Sequence, residues 1–186
     1  MKILELGPGT APLQGGYDTL DCFTHHNPTY LVDMAECKEW PIPDNTYDEV
    51  IAIHVLEHFE LKKVQDIFRN VHRILKNGGS FRVHVPNGVL IAKAYLNSNF
   101  APNEHHISFE SIQLCIYGAE SQEETKYQVA HKILYNHGLL IDQFVRNNFR
   151  NIKDITEDPA YTDRHDSYWA SLGSEKFSLK VIGNKD

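Results

Sequence analysis

The sequence predicts an α/β fold, a mostly parallel sheet with helices on its faces. Three observations carry that expectation. A short apolar run, Ile3-Leu4-Glu5-Leu6, breaks into Gly7-Pro8-Gly9, the pattern of a buried strand entering a tight loop. Two further short runs, Tyr17–Asp21 and Thr29–Asp33, each end in an acid. The apolar run Val50–Ile53, suited to burial on both faces, precedes Val64, Ile67, Phe68, Val71 and Ile74. Their three- and four-residue steps mark an amphipathic helix with one buried stripe.

Composition narrows the function classes. A chain of 186 residues, 41% apolar and 23% charged, suits one soluble globular domain with a substantial core, read as 1–186. A net charge of −7 with no Lys/Arg cluster argues against a nucleic-acid backbone as the main partner. Cys22, Cys37 and Cys115 show no Cys-x-x-Cys spacing, which suits a reducing, cytoplasmic setting rather than a disulfide framework. No apolar run reaches transmembrane length, and Met1-Lys2 leads straight into a strand rather than a leader.

Each element then has its own justification. In strand one, Glu5 is an acid among apolar neighbours, and a buried carboxylate needs partners. The N–H groups of the following loop or a ligand amine would supply them. Gly7 and Gly9 lack Cβ atoms, so the loop can turn sharply and approach a ligand closely. A plain strand followed by a Gly-Pro turn is the other reading. The stretch Glu5-Leu6-Gly7-Pro8-Gly9-Thr10-Ala11 resembles motif I of the class I S-adenosylmethionine-dependent methyltransferases, with Ala11 in place of the third glycine. The competing dinucleotide fingerprint, Gly-x-Gly-x-x-Gly, would need glycine where Pro12 stands.

The resemblance implies S-adenosylmethionine as cofactor. It also implies a Rossmann-like sheet of seven strands, mostly parallel, with helices on both faces. The last strand should run antiparallel between strands five and six. Ten residues, rich in Gly and Pro, separate Leu6 from Tyr17. A parallel crossover normally takes a dozen or more, so the first helix should be reduced or absent. That start is similar to a compact subgroup of the superfamily.

Asp21 should close strand two at the carboxyl edge, where an open α/β sheet faces its ligand crevice. There it can accept both ribose hydroxyls; a solvated turn acid is the alternative. Strand three, Thr29–Asp33, ends in a second acid. The resemblance implies that Asp33 accepts from an adenine amino group and that Met34 packs on the base, a soft side chain on a flat ring. Trp40–Asp48 resembles the segment Leu-Pro-Phe-Pro-Asp-Asn-Ser-Phe-Asp that precedes strand four in the family.

Strand four runs into His54-Val55-Leu56-Glu57-His58, again similar to a segment of the subgroup. If strands one and four are neighbours, Gly7 and His54 share a crevice, and His54 would contact the methionine portion of the cofactor. Glu57 and His58 would sit near the methyl-transfer side, or else cap the next helix. His58 is the first candidate base, because an imidazole titrates near neutrality; Glu57 and His105 stand behind it.

Lys76 and Asn77-Gly78-Gly79 should end the long helix, and Ser80–Asn87 alternates as strand five. Beyond it the pattern suggests short helices over Val89–Leu96 and Ile107–Tyr117. A helix over Glu123–His137 should stop at Gly138. Leu139–Val145 reads as strand six, Tyr161–Leu172 as irregular or partly helical, and Phe177–Ile182 as the last strand. Residues 1–87 thus read as a cofactor-binding half and 88–186 as a substrate-side half with an insertion near 88–121. Glu104-His105-His106 invites a metal reading. Adjacent histidines rarely converge, however, and no spaced carboxylate or cysteine set completes a site, so no metal is expected.

The function implied is transfer of a sulfonium methyl to a small-molecule acceptor, such as a sugar or a metabolite acid. No Asn-Pro-Pro-Tyr motif of amine methylation is visible. The expected partners exclude nucleic acid and membrane, and the oligomeric state is open. Two rival readings remain: an S-adenosylmethionine-binding module without turnover, and a nicotinamide-dependent oxidoreductase.

Overall fold

The computed structural model describes residues 1–9, 12–13, 16–97, 116–118, 130–161 and 178–186. Seven strands form one sheet: β1 (Ile3–Leu6), β2 (Asp18–Asp21), β3 (Tyr30–Leu31), β4 (Tyr47–Ile53), β5 (Leu75–Pro86), β6 (Phe149–Asp154) and β7 (Ser178–Lys185). Their order is β3-β2-β1-β4-β5-β7-β6. The first five pair in parallel, and β7 runs antiparallel to both β5 and β6. This is the class I methyltransferase arrangement that motif I implied. Leu6 is opposite Leu20 on one side and Ala52 on the other, so β1, β2 and β4 end level with one another.

Three helices are described: α1 (Leu61–Ile74), α2 (Gly88–Asn97) and α3 (His137–Arg146). Alternation along the strands sends Leu4, Leu6, Val50 and Ala52 to one face, into the main core with Val64, Ile67 and Phe68 of α1. Phe68 of α1, Phe144 of α3 and Phe81 of β5 meet there with ring centroids 5.0–5.6 Å apart. The other face of β1 and β4 presents Ile3, Ile51 and Ile53, and loop residues Leu13 and Tyr17 cover them. No helix lies between β1 and β2 among the described residues, as the short Gly/Pro-rich connection required.

Arg73 ties the Trp40–Asp44 segment to α1. Its guanidinium donates to the carbonyls of Ile42 (2.7 Å) and Trp40 (2.9 Å) and to Asp44 Oδ1 (2.7 Å). The Trp40 N–H donates to Asn70 Oδ1 at 3.0 Å. The proline-rich stretch is therefore a strap that closes the core over α1.

The second half corrects the sequence reading. Leu139–Val145 is not strand six but lies within α3. Asn136 caps this helix, its side chain accepting from the Leu139 N–H at 2.8 Å. Leu140 and Phe144, one helical turn apart, are both fully buried. Strand six is instead Phe149–Asp154, whose sequence FRNIKD lacks an apolar run. The helix expected over Glu123–His137 is absent from its described part: residues 130–136 are not helical, and Tyr135 bridges Asn87 in parallel. Residues 123–129 lie outside the described residues, as do 98–115 and 162–177. The long helix ends at Ile74, earlier than Asn77-Gly78-Gly79. Tyr47 pairs Leu75 and Glu49 pairs Ser80, so residues 76–79 bulge out of the ladder.

Candidate active site

The level ends of β1, β2 and β4 place the sequence-predicted residues along the carboxyl edge of the sheet. Gly7 (φ 55°) and Gly9 (φ 60°) both adopt the left-handed conformation. The Gly7 N–H donates to the Leu20 carbonyl at 2.8 Å, and a Cβ there would meet Val55 Cγ2 at 2.8 Å. Gly7 is thus needed for the packing of β1 against the segment after β4. A Cβ on Gly9 meets nothing within 4 Å among the described residues, so on that side the position is open. Pro8 between them is buried.

The acids follow in order along the edge. Glu5 is fully buried and accepts from the Leu13 N–H at 2.8 Å, so the loop after β1 does satisfy it. Asp21, 4% exposed, accepts from the Phe23 N–H at 3.1 Å and faces His26 Nδ1 at 3.0 Å. Asp33 accepts from the Ala35 N–H at 2.9 Å and the Glu36 N–H at 3.3 Å, both on Oδ1, which leaves Oδ2 for an incoming donor. Met34 is buried in the main core, so an adenine ring would meet only its remaining surface.

Beyond β4 the chain turns sharply at His54 (φ 53°). The His54 imidazole spans two elements. Its Nε2 is 2.9 Å from Ser178 Oγ of β7, and its Nδ1 is 3.3 Å from Glu57 Oε1, an ion-pair distance. Glu57 sits in a single 3-10 turn, Leu56–His58, and is fully buried. Apart from that His54 contact, among the described residues neither of its carboxylate oxygens has an aligned hydrogen-bond partner, nor do His58 Nδ1 and the Tyr135 hydroxyl. Burial alone would raise the Glu57 pKa. The neighbouring His54, then His58 and His131, outweigh it and lower the value, so the carboxylate is ionised. Burial, and then the Glu57 charge, raise the Tyr135 pKa. The backbone N–H groups of Lys132 (2.7 Å) and Ile133 (3.2 Å) donate to the Glu57 carbonyl and dock residues 131–135 against this turn.

His131 and Tyr135 escaped the sequence reading because nothing in their spacing links them to Glu57. His105, the third candidate base, lies outside the described residues. A separate cleft of about 590 Å³, lined by Arg69, His72, Arg73 and Arg146, lies against the C-terminal half of α1, away from this edge. Its arginines pair with Asp66, Asp44 and Asp142.

Residues 19–83 match the family described as a methyltransferase domain. Solved structures of similar fold include S-adenosylmethionine-dependent methyltransferases from three organisms. The Archaeoglobus fulgidus protein is 12% identical, with 99% of this chain and 86% of that chain covered and a TM-score of 0.59. The Methanosarcina mazei protein is 14% identical, with 99% and 92% covered and a TM-score of 0.59. The Mesorhizobium loti protein is 16% identical, with 98% and 90% covered and a TM-score of 0.56. No curated protein sequence matches the chain.

Proposed function

From a chain with the fold of the class I S-adenosylmethionine-dependent methyltransferases and a segment, residues 19–83, that matches a methyltransferase domain, we propose an enzyme that methylates a small-molecule acceptor. The observation that carries this reading is the shared edge. The open Gly9 position and the acids Asp21 and Asp33 line one end of it, and the Glu57–His58 turn lies at the other. S-adenosylmethionine is the cofactor, and it supplies an already activated methyl group.

The residues fit such a ligand. The edge is rich in acceptors, and an adenosyl methionine brings an amine, two ribose hydroxyls and an adenine amino group as donors. Asp21 would take the ribose hydroxyls, with His26 fixing the orientation of its carboxylate. Asp33 Oδ2 would take the adenine amino group. Gly9 gives the backbone room to approach the methionine portion, and His54 borders the same crevice.

Transfer of an activated methyl asks chiefly for alignment of donor and acceptor, which can supply about 7–11 kcal/mol. An acceptor that still carries its proton also needs a group to receive it, worth typically 10²–10⁴-fold in rate. Glu57 and His58, in the 3-10 turn that follows β4, would take that task. The acceptor is a small molecule in this reading, and the negative net charge disfavours nucleic acid. No helix among the described residues is long and apolar enough to cross a membrane.

Thermal unfolding with S-adenosylhomocysteine tests the first step. Ligand at about 100 times its dissociation constant adds ~2.7 kcal/mol, which for a chain of this size is a rise of about 5–11 °C. Asp21→Ala should sharply reduce the rise at fixed ligand, and NADH should give none. An unmoved melting curve at millimolar S-adenosylhomocysteine in a folded sample would overturn the reading. Binding without release of S-adenosylhomocysteine across a panel of sugars and hydroxy acids would leave a module that binds but does not turn over.

A further inference from the structure

The buried turn after β4 holds more than a proton acceptor requires. Glu57, His58 and His131 each offer one ligand atom, and these atoms lie within 4.8 Å of one another. Glu57 is fully buried, and among the described residues neither of its oxygens makes an aligned hydrogen bond. A buried carboxylate whose oxygens lack aligned donors keeps lone pairs that a cation can take. His58 Nδ1 is likewise buried and without a hydrogen bond. The His58 and His131 rings meet nearly edge to face at 4.9 Å between centroids, so both imidazoles lie beside the carboxylate.

We propose that Glu57, His58 and His131 form a binding site for a divalent first-row transition-metal ion of the Zn²⁺ type. The donor set is two imidazoles and one carboxylate, which suits Zn²⁺ and disfavours Mg²⁺ and Ca²⁺, ions that ask for oxygen ligands. Bonds of about 2.0–2.2 Å set tetrahedral ligand atoms roughly 3.4 Å apart, so side-chain torsions must close the present spacing slightly. His54 supplies the outer contact that such sites use to orient a carboxylate. It stands 3.3 Å from Glu57 Oε1 and is itself held by Ser178 of β7. Three protein ligands leave a fourth position for water or an acceptor oxygen, the pattern of a reactive rather than a purely structural ion.

The site does not depend on the methyl-transfer reading, since it follows from three side chains alone. If both hold, His58 is a ligand when the ion is bound. An acceptor oxygen is then activated by coordination rather than by an imidazole base.

The test uses the tag-free chain, stripped with a chelator and titrated with Zn²⁺ by calorimetry and with Co²⁺ by visible absorption. One equivalent should bind, and the Co²⁺ spectrum should show ligand-field bands without a thiolate charge-transfer band. His131→Asn and Glu57→Gln should each weaken binding at least tenfold, while a Cys22→Ser/Cys37→Ser double variant should bind as the parent does. The wild-type titration needs no substitution, so a misfolded variant cannot mask the answer. Absence of stoichiometric binding overturns the proposal. So does a thiolate band, or affinity unchanged in well-folded His131→Asn and Glu57→Gln proteins. A parallel titration with S-adenosylhomocysteine separates the two readings: a sample that binds nucleoside but no metal refutes this inference alone.

Discussion

The two glycines of the N-terminal loop are alike in sequence and different in structure. Both have positive φ, so any Cβ costs roughly 1–2 kcal/mol of backbone strain. At Gly7 the new carbon also strikes Val55, whereas at Gly9 it enters open space. Gly7→Ala should therefore lower the melting temperature well beyond the strain alone. Gly9→Ala should lose only the strain while weakening S-adenosylhomocysteine binding in a calorimetric titration. Equal melting temperatures for the two variants would contradict the packing role of Gly7. The glycine loop and the acids at the strand ends were legible as elements because a strand, a glycine loop and a closing acid are local patterns. The cage around Glu57 was not: His131 and Tyr135 reach it from a segment more than seventy residues away, held by backbone hydrogen bonds that no side-chain pattern advertises.

Among the elements, the first half of the chain announced itself and the second misled. β1 and β4 are apolar runs and α1 is strongly periodic, and their buried residues follow those patterns. Leu139–Val145 is an apolar run that fits either a strand or a buried helix, since short runs carry too little periodicity to decide. The deciding signal was Asn136, a helix cap three residues before Leu139, which a stop placed at Gly138 concealed. Asn136→Ala should cost about 1 kcal/mol, the usual loss of a cap. Phe144→Ala removes a ring from the aromatic cluster of Phe68, Phe81 and Phe149 and should cost about 3–5 kcal/mol. Thermal unfolding measures both, and a Phe144→Ala protein as stable as the parent would deny α3 its anchoring role. β6 stayed hidden because a strand at the sheet margin, with a mixed polar sequence, is specified by its partner rather than by its own residues.

For the molecule as a whole, net negative charge and carboxylates engaged by donors make acid the weak direction. Lys76 hydrogen-bonds Asp48, and the Lys2 N–H adds to it, which holds the Asp48 carboxyl below the usual range. Burial opposes ionisation of Asp154, but hydrogen bonds from Thr156 and the His137 imidazole lower it on balance. A carboxyl whose folded pKa is depressed contributes stability above its unfolded value of about 3.9, and loses it as pH falls through the folded value. The melting temperature should thus hold near neutrality and fall below about pH 4. Asp48→Asn and Asp154→Asn should flatten that fall and converge on the parent at the acid end. A parent whose melting temperature rises below pH 4 would refute the assignment.

The position of β7 has a consequence for how this protein comes into being. It is the seventh strand in the chain but the sixth across the sheet, wedged between β5 and β6. On the ribosome, β5 emerges with an open apolar margin and waits nearly a hundred residues for its neighbour. Such a margin invites pairing with other nascent chains. Ser178, which steadies the His54 imidazole 124 positions upstream, arrives with the same strand. A chain still under synthesis would therefore carry its glycine loop long before the turn after β4 is braced.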